Sequence, residues 1–196
     1  TSQATILEVR PRPPKIVAWE VEPGRHPLGP GNKLVIAPGL LAGTSAPSSG
    51  RISIGAKSPL TGGIKESNGG GVVAGKLARL GIKAVVVEGR PAGGKLFLLL
   101  INRQGVQLLP ADDLREVGVY ETASRLQERY GKKVGVLLIG PAGERLMSAA
   151  GITNTDVDGI PSRYCGRGGL GAVMGSKGLK AVVVDDTGCE PPVLHD

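Results

Sequence analysis

"YCGRGGLGAVMGSKGLKAVVVDD", residues 164–186, has a counterpart earlier in the same chain, SNGGGVVAGKLARLGIKAVVVEG at residues 67–89. Laid over one another, the stretches match Gly69, Gly71 and Gly81 with Gly166, Gly168 and Gly178, and Lys83–Val87 with Lys180–Val184. Each reads as a Gly-rich loop, a short helix stopped by glycine and a buried strand. Glycine just past the last periodic residue ends a helix, and a short apolar run suits a strand buried on both faces. Upstream the order of elements agrees more loosely, NKLVIAPGLLAG (32–43) resembling KKVGVLLIGPAG (132–143). The chain therefore reads as two copies of a strand, Gly-rich loop, short helix, strand unit, at about 32–89 and 133–186.

Two explanations of such a repeat stand side by side. Both loops face one ligand across a pseudo-twofold, or the glycines serve close backbone packing. GRGGLG also fits the G-x-G-x-x-G fingerprint from Gly166 to Gly171, but a dinucleotide site needs a strand directly before the first glycine. TNTDVDGIPSRY is polar and broken by Gly-Ile-Pro, so no strand is expected there. A phosphate site asks for less: glycine amides converge on an anion, and arginine clamps it with two hydrogen bonds. Arg163 and Arg167 flank the second loop, Asn68 opens the first, and Arg51 lies upstream in SSGR.

Composition narrows the partners. The formal charge of +7 favours an anionic ligand, yet aromatic residues make up only 3% and the cations are scattered, which argues against nucleic acid. The 32 glycines beside a 40% hydrophobic fraction describe a folded chain full of tight turns. Cys165 and Cys189 form no C-x-x-C pair and are expected as free thiols in a reducing cytoplasm. No apolar run approaches the roughly 20 residues of a membrane span and no signal-peptide pattern is read, so a soluble, cytoplasmic protein is expected. His26 and His195 lie at the chain's margins, and no catalytic set is assembled. Asp156 and Asp158 in NTDVDG read as a turn in preference to a cation loop.

Between and before the repeats the pattern is plainer. Residues 1–27 form a Pro-rich arm with an edge strand at ATILEV, and residues 188–196 form a tail. KLVIA and RISIGAK are strands, and KLFLLLINRQGVQLLP is a hairpin turning at Asn102–Gly105. An amphipathic helix is expected from Asp112 or Asp113 to Tyr130, with Leu114, Val117, Ala123, Leu126 and Tyr130 on one face.

The strings NKLVIAPGLLAGTSAPSSGR, KSPLTGGIKESNGGG, GIKAVVVEG, IGPAGE and GRGGLGAVMGSKGLKAVVV resemble the N-terminal domain of the aldehyde:ferredoxin oxidoreductase family over about residues 28–187. That resemblance implies an α+β fold: two β-sheets related by an internal pseudo-twofold, with a few short helices and one long helix. It implies a tungsten (or molybdenum) bis-pterin cofactor bound by Arg51, Asn68, Gly70, Arg163, Tyr164, Gly166 and Arg167. It implies Mg²⁺ between the pterin phosphates, held by the backbone carbonyls of Asn68 and Tyr164. Tyr164 and Cys165 stand where the family has small residues. No catalytic residue is expected in this chain. The 4Fe-4S cluster and further pterin contacts belong to missing C-terminal domains or a partner subunit, and the electron acceptor to ferredoxin. The implied activity is oxidation of aldehydes to carboxylic acids. The alternative is a non-catalytic phosphoryl-ligand-binding or assembly module keeping the same fold, for which a homodimer or larger assembly is expected.

Overall fold

The computed structural model describes residues 3–7 and 13–192. Strand β1 (Gln3–Leu7) and helix α1 (Pro13–Glu20) precede the first repeat: β2 (Leu34–Pro38), β3 (Ile52–Lys57), β4 (Ile64–Gly69), α2 (Val73–Arg79) and β5 (Ala84–Glu88). Hairpin β6 (Phe97–Asn102) and β7 (Gly105–Pro110) and helix α3 (Val119–Tyr130) lead to the second repeat. That repeat comprises β8 (Gly135–Leu138), α4 (Pro141–Glu144), β9 (Ile152–Asn154), β10 (Arg163–Cys165), α5 (Leu170–Ser176) and β11 (Leu179–Val184).

The repeats fold alike. One sheet has the order β1-β5-β2-β3-β4 and the other β10-β9-β8-β11-β6-β7. Their inner quartets, β5-β2-β3-β4 and β11-β8-β9-β10, share order and antiparallel sense. The expected α+β fold of two sheets built on an internal duplication is therefore the observed one. Strand register also moves the equivalence by one residue from the glycine-based superposition. Asn68 pairs with Ser53, and Tyr164 pairs with Thr153 at the matching place, so Asn68 and Tyr164 are structural counterparts.

Alternation along each strand sorts side chains into layers. Leu34, Ile36, Val85 and Val87 join Leu137, Val182 and Val184 in one core between the sheets, with α2 and α5 contributing Val73, Leu77, Leu170, Val173 and Met174. Val35, Ala37, Ala84 and Val86 point the other way and meet Ile16, Val17 and Val21 from α1 and the residue following it. Leu98, Leu100, Val136, Leu138 and Val183 form the outer face of the second sheet, covered by Leu126 of α3. Each such fully buried side chain contributes roughly 1.5–3 kcal/mol.

Three sequence expectations change. The Pro-rich linker is a helix, since Pro13 and Pro14 occupy its first turn, where a missing N–H breaks no bond, and Ile16 and Val17 anchor it. The long helix starts at Val119, not at Asp112. Asp112–Leu114 is a separate 3₁₀ turn, and the chain reverses at Glu116, whose φ is 58°. Finally, ESNG at 66–69 and RYC at 163–165 are strands and not loop. Both are polar because they are sheet edges. The hairpin turn at Asn102–Gly105 and the stop at Gly81 are as expected. The arm's residues 1–2 and 8–12 and the tail's residues 193–196 lie outside the described residues.

A candidate anion-binding groove

The free edges of the two quartets, β4 and β10, meet at the pseudo-twofold. Glycine makes the approach feasible: a Cβ at Gly69 would lie 2.7 Å from the Cys165 sulfur and 3.4 Å from the Tyr164 carbonyl carbon and oxygen. Cys165 is fully buried there, and burial pushes its thiol up to about 12, so it packs as a small apolar group and stays protonated.

A groove of about 530 Å³ opens beside this junction. The first repeat contributes Arg51 from the approach to β3, Asn68 and Gly69 from β4, and Gly70 and Gly71 beyond it. The second contributes Asp156, Ser162, Arg163 and Tyr164. Five of the seven residues expected at the site, Arg51, Asn68, Gly70, Arg163 and Tyr164, are thus brought together from two distant parts of the chain. Gly166 and Arg167 fall outside the lining, because the chain turns away after β10. The Arg167 N–H donates to Ser67 Oγ at 3.2 Å, and Ser58 Oγ donates to the Gly168 carbonyl at 2.7 Å.

The groove's charges are unevenly spent. Arg51, Arg163 and Arg167 are exposed and have no ion-pair partner among the described residues. Six other arginines, at 25, 79, 115, 125, 129 and 145, are each bound to a carboxylate. The one acid in the lining is occupied. Asp156 accepts the Ser162 hydroxyl at 2.6 Å and the N–H groups of Asp158 and Ile160, each at 3.0 Å. The Ser162 bond, against a small burial penalty, holds its carboxyl below the usual range, with those N–H groups and Arg163 helping. NTDVDG is therefore a self-bonded turn. Among the described residues no cluster of three His, Cys, Asp or Glu side chains could hold a metal.

Sequence reasoning passed over β9. Thr153, Asn154 and Thr155 are all buried. The Thr153 hydroxyl donates to the Pro161 carbonyl at 2.9 Å, and Thr155 Oγ1 accepts the Val136 N–H at 2.9 Å. Asn154 Nδ2 donates across the pseudo-twofold to the Gly70 carbonyl at 2.7 Å, and the Val72 N–H donates to the Thr155 carbonyl at 2.9 Å. Nothing in TNT distinguishes a clamp from a loop; only the partner across the twofold does.

The fingerprint GRGGLG is corrected in one respect and rejected in another. A short strand, β10, does precede Gly166, contrary to expectation. It is an edge strand separated from β11 by β9 and β8, and it runs antiparallel to β11, so no parallel strand-helix-strand unit exists. The glycines are spent on packing: a Cβ at Gly169 would lie 1.8 Å from the Ser148 oxygen and one at Gly171 2.3 Å from the Gly151 oxygen. Asp186 pairs with Lys76 and Arg79 at 2.5 and 2.7 Å, and so is engaged within the protein.

The fold and site define a duplicated two-sheet domain with a groove at its axis whose arginines form no ion pair among the described residues, and comparison with known proteins assigns the family. Residues 13–186 match the family model described as aldehyde ferredoxin oxidoreductase, N-terminal domain, and the chain belongs to that family. It is 43% identical over 173 residues to the tungsten-containing aldehyde ferredoxin oxidoreductase of Pyrococcus furiosus, covering 88% of this chain and 27% of that protein. The corresponding Thermococcus kodakarensis enzyme is 44% identical over 167 residues, covering 85% and 26%. Among solved structures, a chain of the active site complex BamBC of benzoyl coenzyme A reductase, in complex with 1,5-dienoyl-CoA, superposes with a TM-score of 0.83 at 35% identity. The match covers 91% of this chain and 26% of that one. The chain thus spans about a quarter of the relatives it matches. Among the described residues no helix is long and apolar enough to cross a membrane.

Proposed function

We propose that this chain is the cofactor-carrying domain of a tungsten- or molybdenum-dependent aldehyde:ferredoxin oxidoreductase, and that the groove receives the phosphates of a bis-pterin. The observation that carries the reading is the pair Arg51 and Arg163, one from each repeat, neither in an ion pair among the described residues, beside a run of glycines. The donor set suits dianionic phosphate, since guanidinium binds it in a bidentate fork and main-chain N–H groups complete the cradle. The backbone carbonyls of Asn68 and Tyr164, counterparts on the two meeting edges, are the ligands this chain would offer a Mg²⁺ between two phosphates. Arg167 adds a third unpaired cation, and Gly166 keeps the turn beside Tyr164 free of a side chain.

When bound, the metal-pterin group would supply the two-electron chemistry of aldehyde oxidation, with electrons leaving through a 4Fe-4S cluster towards ferredoxin. This chain's own part is to neutralise, orient and bury one side of the group. Acid-base and cluster-binding residues would come from further domains, of which the relatives have about three-quarters of their length beyond the match, or from a partner subunit, in a reducing cytoplasm. The benzoyl-CoA reductase neighbour favours a second reading, in which the same groove serves a multi-subunit reductase acting on a coenzyme A thioester.

Arg163→Ala tests the shared core of both. In protein purified with its remaining domains or subunits, tungsten or molybdenum and releasable oxidised pterin should both fall below about a tenth of wild type, as expected for a lost charged hydrogen bond. Full metal and pterin content in the variant sinks the groove assignment, whereas absence of both from the wild-type protein leaves the non-catalytic module. Activity on aldehydes against activity on an aromatic coenzyme A thioester then separates the two enzyme readings.

A further inference from the structure

We infer that Tyr164 makes the groove selective for a flat phosphorylated heterocycle, its phenol ring lying against the ligand's planar part; this rests on the phosphate reading of the groove given above. The lining divides by chemistry. Arg51 and Arg163 answer the phosphate, Gly69, Gly70 and Gly71 present bare main chain, and Asp156 and Ser162 are bonded to one another. Tyr164 is the one aromatic residue in that lining and is 52% exposed, directly beside the fully buried Cys165. In a chain with only 3% aromatic residues, a ring at this position is not a by-product of composition.

Its support is rigid. Tyr164 pairs with Thr153 across β10 and β9, and the Thr153 hydroxyl bonds the carbonyls of Pro161 and Arg163 at 2.9 and 3.3 Å. The backbone on both sides of the ring is therefore fixed, and the side chain has only two torsions to lose on binding. An exposed ring in a groove also lined by main-chain glycine offers a flat face, which suits a planar group and repays a bulky aliphatic one poorly.

The test measures binding of three probes to the full chain: oxidised 6-hydroxymethylpterin phosphate by its fluorescence, guanosine monophosphate, and inorganic pyrophosphate. Tyr164→Ala should weaken the pterin phosphate ~10-fold, the size of one stacked base, and leave pyrophosphate within about twofold. Tyr164→Phe should keep both within about twofold, because the face and not the hydroxyl is used. Unchanged affinity for both pterin phosphate and guanosine monophosphate in Tyr164→Ala overturns the inference, as does an equal loss for pyrophosphate or a loss in Tyr164→Phe matching that in Tyr164→Ala. If guanosine monophosphate alone depends on Tyr164, the ring contact stands and the pterin reading fails. If pyrophosphate binding depends on Arg163 while neither ring probe depends on Tyr164, the ring contact fails and the phosphate reading of the groove stands.

Discussion

Lys177 and Lys180 are among the largest fully buried side chains of the molecule, and they carry the cost of that position differently. Lys180 forms a 2.5 Å ion pair with Glu144 and donates to the Val117 carbonyl at 2.8 Å; burial pushes its ammonium down, and Glu144 pulls it part of the way back. Lys177 donates to the Gly29 carbonyl at 2.9 Å, tying the end of α5 to the turn before β2. Burial lowers it to about 8 from 10.5, with Glu88 opposing the shift and Arg90 adding to it. Below pH 8 the folded and unfolded chains both hold this proton, and the burial penalty is complete. Between about 8 and 10.5 the unfolded chain holds more of it, so the Lys177 contribution to stability rises with pH. Urea midpoints at pH 7.5 and 9.5 should show this as a gain of about 1 kcal/mol per pH unit at most, absent from Lys177→Met. A pH slope identical in the two proteins contradicts the assignment.

At the scale of elements, β9 holds the groove together. Asn154 supplies the 2.7 Å bond that fixes the Gly70 carbonyl, while its own Oδ1 is buried without a hydrogen-bond partner among the described residues. Gly71 sits against it at φ 107°, where an added Cβ would lie 2.5 Å from Asn154 Nδ2. Asn154→Ala should leave the Gly70 carbonyl unsatisfied and cost roughly 1–3 kcal/mol in urea unfolding. Pyrophosphate binding should weaken with it, because the glycine run loses its tether. Wild-type affinity in a destabilised variant would confine Asn154 to a structural role. This clamp was illegible in the sequence. Thr153, Asn154 and Thr155 have the composition of a loop, and their burial follows from a strand pairing and a cross-repeat contact with no local signature.

At the scale of the molecule, the two repeats share one core. Leu34, Ile36, Ile54 and Val85 from the first pack in the same cluster as Leu137, Ile152, Val173 and Val182 from the second. Neither half can bury its inner face alone, and a half-size domain buries too little surface to offset chain entropy. Residues 13–89 expressed separately should therefore give no cooperatively melting monomer by circular dichroism. A sharp monomeric transition would show that the repeat folds independently. Close packing of α5 on α4 explains a glycine of α5: a Cβ at Gly175 would lie 2.0 Å from the Gly143 oxygen in α4.

By itself the sequence determined the duplication, the apolar inner strands, the helix stops and the family, because these rest on short-range pattern and on long ordered strings of matching residues. It also named Arg51, Asn68 and Arg163 from their places beside the Gly-rich loops, and Gly70 and Tyr164 only through the resemblance. Tertiary structure decided the rest. Edge strands β4 and β10 carry polar residues precisely where one side of a strand faces no partner, so their pattern looks like loop. Their meeting across the pseudo-twofold turns separate stretches of chain into one groove, with Asn68 opposite Tyr164. It also shows that Gly69 and Gly71, like Gly169 and Gly171 in the second repeat, answer neighbouring protein atoms, and that Gly70 alone of the first run has room for a side chain, because close approach is set by which stretches the fold brings together.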